Sequence, residues 1–119
     1  MANQLPITVT FRDILETDAI RNRIVNKANK LAQYFDRIEY CKVTVELPQK
    51  HQHQGKLFSV KIECGVPNKT LAVTHKQDED LYVSLRDAFQ AMARQLKEYR
   101  AVLRNDVKYH TENNQPTHP

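Results

Sequence analysis

From Asp78 to Arg104 the apolar side chains recur at helical spacing. Leu81, Leu85, Ala88, Met92, Leu96, Tyr99 and Leu103 share one face when each residue is turned by about 100°. The pattern predicts a long amphipathic helix with one buried stripe. Asp78 is a competent N-cap, Glu79 and Asp80 complement the positive end of the helix dipole, and Lys97, Arg100 and Arg104 complement the negative end. A second helix is predicted earlier, capped by Thr17, where Ile20, Ile24, Ala28, Leu31 and Phe35 recur with the same period.

Elsewhere the period is two. Residues 7–12 set Ile7, Val9 and Phe11 against Thr8, Thr10 and Arg12; residues 40–47 set Cys41, Val43, Val45 and Leu47 against Lys42, Thr44 and Glu46. Residues 57–64 bury Phe58, Val60, Ile62 and Cys64, the GVPN stretch turns the chain, and residues 69–75 bury Leu71 and Val73. The polar QKHQHQGK segment after Pro48 reads as a loop. The order is therefore β-α-β-β-β-α. A right-handed crossover sets the first two strands parallel, and short turns make the last three an antiparallel meander. Each helix has one apolar stripe and each strand one apolar face, so the fold class is α+β, a four-stranded mixed sheet with both helices packed on one face. Residues 1–104 make a single domain, and the polar stretch 105–119, with its two prolines, makes a flexible tail.

Charge adds direction to this frame. Arg86, Lys97, Arg100 and Arg104 fall within an arc of about 60° beside the second helix's apolar stripe, with Arg94 further round. Arg23, Lys27, Lys30 and Arg37, with Tyr34 among them, line one flank of the first helix, while Arg21 lies on the other. Two helices side by side on one sheet would merge these ridges into a positive surface able to track a phosphate backbone. The ordinary alternative is a pair of solvated faces. With 18 Lys+Arg against 14 Asp+Glu and a formal net charge of +4, composition permits a polyanionic partner without demanding one. At 119 residues, 40% hydrophobic and 27% charged, the chain has the make-up of a water-soluble domain, and neither a membrane span nor a secretion signal is evident in it. A cytoplasmic location is the expectation, with Cys41 and Cys64 as reduced core thiols.

Chemistry is sparse. No phosphate-loop, dinucleotide, zinc-protease or nucleophile-elbow spacing is present. His51 and His53 lack a third ligand and read as polar loop residues, so no metal or cofactor is expected. Asp13, Glu16 and Asp18 cluster at a strand-to-helix junction, where acids serve as caps and dipole partners. The expectation is a binding protein and not an enzyme. A general double-stranded RNA-binding module is the alternative binding class, although its basic loop would here have only two lysines; a protein-interaction scaffold without a nucleic-acid role is a third.

The helices themselves carry a resemblance. TDAIRNRIVNKANKLAQYFDRI at residues 17–38 and DEDLYVSLRDAFQAMARQLKEYR at residues 78–100 resemble the two helices of the ribosome hibernation promoting factor and ribosome-associated inhibitor family, in its short form, over about residues 5–104. The resemblance implies a bacterial, cytoplasmic, non-enzymatic protein, monomeric off the ribosome, that binds rRNA of the small ribosomal subunit in stationary phase or stress. There it would occupy the mRNA channel and the A and P sites, compete with mRNA, tRNA and initiation factors, and block initiation. Arg21, Lys27, Lys30, Arg37, Arg94, Arg100 and Arg104 match the family's basic positions; Arg23, Arg86 and Lys97 are placed by the helical wheel alone. Ala91 and Glu98 depart from the pattern where similar relatives carry lysine. The tail is intermediate between short members that favour ribosome dimers and those that oppose them.

Overall fold

The computed structural model describes residues 5–47, 57–78 and 80–113. The alternating segments form four strands: β1 (Ile7–Arg12), β2 (Tyr40–Glu46), β3 (Phe58–Val66) and β4 (Lys69–Asp78). They lie in the order β1-β2-β3-β4, with β1 parallel to β2 and the remaining neighbours antiparallel. Helix α1 (Asp18–Lys30) forms the crossover and tightens into a 3₁₀ turn at Leu31–Gln33, and α2 (Leu81–Asn113) follows β4. This is the β-α-β-β-β-α mixed sheet that the periodicities call for.

The period of two decides which sheet face is covered. Cys41, Val43 and Val45 of β2, Val60, Ile62 and Cys64 of β3, and Leu71 and Val73 of β4 are buried under Ile24, Ala28 and Leu31 of the first helical segment and Leu85, Met92 and Leu96 of α2. The intervening residues, among them Lys42, Thr44, Lys61 and Glu63, stay on the helix-free face. Both helices thus share one side of the sheet. Since each follows a strand running in the same sense, α1 and α2 lie parallel, early residue beside early residue: Arg23 meets Tyr82, Tyr34 meets Lys97 and Phe35 meets Tyr99.

Several boundaries differ from the sequence reading, β4 running on to Asp78 and the first helix tightening after Lys30 among them. Asp80, not Asp78, caps α2: its carboxylate accepts from the Tyr82 and Val83 N–H groups at 2.8 and 3.4 Å, while Asp78 is the last residue of β4. Strand β3 continues through Gly65 and Val66, so the turn is only Pro67 and Asn68, with Asn68 at φ 68, the signature of a type II turn. Gly65 serves close approach instead of turning, because a Cβ there would lie within the Tyr40 ring that crosses it from β2. Helix α2 does not stop at Arg104 but runs on to Asn113. Thr17 caps α1 as expected, accepting from the Ile20 N–H at 3.2 Å.

Side chains of α2 also secure the sheet's outer strand. Gln95 donates to the Ala72 carbonyl at 3.1 Å, covering an edge group of β4, and the Tyr99 hydroxyl donates to the Pro67 carbonyl at 2.6 Å. In the centre Cys41 and Cys64 face one another in register, free and fully buried. Cys41 spends its N–H on Pro6 on the β1 side, so towards β3 the two form a non-hydrogen-bonded pair, the closer kind. A thiol hydrogen bond between them holds Cys41 below the usual thiol range and pushes Cys64 up, burial adding to the rise.

Candidate nucleic-acid interface

Spacing along α1 puts Arg23, Lys27 and Lys30 on the flank that faces α2, and spacing along α2 puts Arg86 on the flank that faces α1. Because the helices are parallel, these cations meet along a seam. Lys27, Lys30, Arg86 and Tyr34 rim a cavity of about 150 Å³ floored by Leu31 and Phe89. Further along, Arg37, Arg100 and Arg104 rim a second one of about 280 Å³ beside Phe35. Lys97 lies between them, its Nζ 5.0 Å from the centre of the Tyr34 ring.

The electrostatics of the seam are dominated by its cations. Partial burial first, and then the charges of Arg23, Lys30 and Arg86, lower the Lys27 ammonium below the ordinary lysine value. Among the described residues two carboxylates pair with the cations of the seam. Arg86 has its chain neighbour Asp87 at 3.1 Å and Arg37 has Asp36 at 3.9 Å, both on the surface. Three cations rest instead on rings: Arg23 on Tyr82 at 4.4 Å, Lys97 on Tyr34, and Arg37 on Phe35 at 5.3 Å. An aromatic face orients a cation without neutralising it, so its charge stays available to a ligand.

Eight of the ten basic residues singled out in the sequence belong to this seam: Arg23, Lys27, Lys30, Arg37, Arg86, Lys97, Arg100 and Arg104. Arg94 is exposed on the outer side of α2, further round than the rest. Arg21 is set apart: it pairs with Glu16, Nε to Oε2 at 2.6 Å, and sits 5.9 Å above the Phe11 ring on the β1 flank. Tyr82 was not singled out, although the signal was there: it falls one turn before Arg86, on the same arc of the wheel.

The acids of the β1–α1 junction have structural tasks. Glu16 holds Arg21, Asp18 occupies the first turn of α1, and Asp13 takes a left-handed turn at φ 58. Among the described residues no three His, Cys, Asp or Glu side chains converge as a metal site, and His51 and His53 lie outside those residues. Nor is any described helix long and apolar enough to cross a membrane. What the seam can do chemically is bind a row of negative charges.

Comparison with known proteins bears on what that row is. A family model described as Sigma 54 modulation protein / S30EA ribosomal protein matches residues 7–104. Among solved structures, the N-terminal domain of Protein Y from Thermus thermophilus is similar with a TM-score of 0.65, 24% identity, and coverage of 82% of this chain and 99% of that one. A ribosomal subunit interface protein from Coxiella burnetii is similar with a TM-score of 0.63 at 17% identity, over the same shares of the two chains. At such identities these two likenesses speak for the fold.

Proposed function

Since the chain belongs to the Sigma 54 modulation protein / S30EA ribosomal protein family, we propose that it is a ribosome hibernation factor of the cytoplasm. It binds rRNA of the small ribosomal subunit with the seam between α1 and α2, fills the path of mRNA and the A and P sites, and blocks initiation under stress or in stationary phase. The observation that carries this reading is the seam itself, where cations from two helices converge around Lys27, Lys30 and Arg86 on one side of the sheet. Such a surface gains affinity from each phosphate it meets and from the counterions released. Off the ribosome the protein is a monomer and needs no cofactor. Inhibition follows occupancy, because a small domain without a catalytic centre excludes mRNA, tRNA and initiation factors only by filling their space.

Co-sedimentation with separated subunits tests the reading. The protein should travel with small subunits in preference to free duplex RNA, and binding should fall steeply as salt rises. Replacing Lys27, Lys30, Arg94 and Arg100 together with Glu should abolish it and leave the thermal transition nearly unchanged, since all four side chains lie outside the core. A quadruple variant that still sediments with small subunits would refute the assignment. Because ligands that exclude one another weaken each other equally, mRNA with initiator tRNA should protect the subunit to the same degree that the protein displaces them.

A further inference from the structure

The seam ends, beside the first turns of both helices, in a feature that phosphate binding does not call for. Tyr82 is 43% exposed although its ring would bury well, and the Arg23 guanidinium lies 4.4 Å from the ring centre. A guanidinium lying over a phenol makes a cationic, aromatic stack, and both partners are open to solvent. Next to it on α1, Asn22, Asn26 and Lys30 border a shallow depression of about 370 Å³ that Arg23 and Lys27 also line. Carboxamides lining the same depression as Arg23 supply both donors and acceptors, the equipment for reading a base edge.

We infer that the Arg23–Tyr82 pair is a stacking platform for an unpaired nucleobase, so that this end of the seam takes single-stranded RNA. The inference rests on the proposed RNA-binding role and adds the chemical class that this part of the surface selects. Lys27 and Lys30 hold the phosphates, a base leaves the stack to lie on the platform, and Asn22 and Asn26 reach its edge. A duplex cannot use the platform, because its bases are already stacked and their faces are hidden. A phosphate chain without bases cannot use it either.

The chain has no tryptophan, which makes the test direct. In the full chain, Tyr82→Trp supplies a single indole at the platform and keeps an aromatic surface there. Its emission should be quenched by a single-stranded RNA dodecamer, and left unchanged by inorganic polyphosphate that binds well enough to displace the RNA. The duplex of the same dodecamer should quench far less at equal occupancy. Tyr82→Leu should weaken single-strand binding about tenfold or more with the slope against salt unchanged, since a stacked base contributes affinity but releases no counterions, and Tyr82→Phe should bind like the parent chain. Equal quenching by all three ligands, or none by a single strand that demonstrably binds, would overturn the platform while leaving the phosphate seam in place. Failure of the unmodified chain to bind any RNA would remove the parent reading and this one with it.

Discussion

Ser84 is the one described side chain whose buried polar atom has no partner: it is fully enclosed in α2, and its hydroxyl meets no acceptor or donor. An unmade hydrogen bond of this kind costs about 1–3 kcal/mol, and serine also forms helix less readily than alanine. Ser84→Ala should therefore raise the melting temperature, which a thermal unfolding curve would register; a lower midpoint would mean that the hydroxyl has a task. This residue was not legible in the sequence, because a serine near an apolar stripe looks like the margin of the stripe. The α2 cap was half legible for a related reason. Asp78, Glu79 and Asp80 are all acids able to sit at a helix start, and the length of β4 decides among them.

At the scale of elements, Tyr99 ties three parts together. Its hydroxyl reaches the Pro67 carbonyl in the β3–β4 turn, and its ring meets Phe35 edge-on, with centroids 5.2 Å apart. Tyr99→Phe keeps the ring and removes the bond, so stability should fall by about 1 kcal/mol in a denaturant titration. A double-mutant cycle between Phe35 and Tyr99 should return a coupling of about 0.5–1.5 kcal/mol; a coupling near zero would show that the two rings are merely adjacent. Existence, type and pairing of the four strands and two α-helices were readable because each surface has one apolar side, and Ile62 or Leu96 can be placed by counting, whereas the 3₁₀ turn at Leu31–Gln33 was not. Ends were less readable. Gly65 reads as punctuation in a sequence, whereas in the sheet it makes room for the Tyr40 ring, and nothing near Tyr40 announces that need. Helix α2 runs past Arg104 because residues 105–113 contain no Gly or Pro to stop it.

For the whole molecule, shape departs from expectation more than fold does. A compact chain of this length has a radius of gyration of about 13 Å, and the observed value is 17.8 Å, with a longest dimension of 62 Å. A 33-residue helix contributes much of that length, at about 1.5 Å per residue. The candidate site was legible as two ridges but not as one seam, since merging them needs the helices to be parallel neighbours. Tyr82 and Arg23 come together only through that arrangement, since they stand 59 residues apart in the chain.

The helix-free face of the sheet bears on how the molecule meets its ligand. There Lys42 and Glu63 stand opposite each other across β2 and β3, and the Tyr40 hydroxyl donates to Glu63 at 2.6 Å, so that cations and acids are interspersed. The seam on the other side has no such balance. A formal charge of only +4 thus conceals a lopsided field, and the torque this field exerts turns an approaching molecule before contact. Lys61→Gln and Lys30→Gln remove the same charge from opposite faces, Lys61 lying on the strand face and Lys30 on the seam. In stopped-flow mixing with small subunits at low salt, Lys30→Gln should slow association several-fold and Lys61→Gln hardly at all. Equal slowing would mean that net charge alone sets the encounter rate; unequal slowing means that the protein arrives already facing the right way.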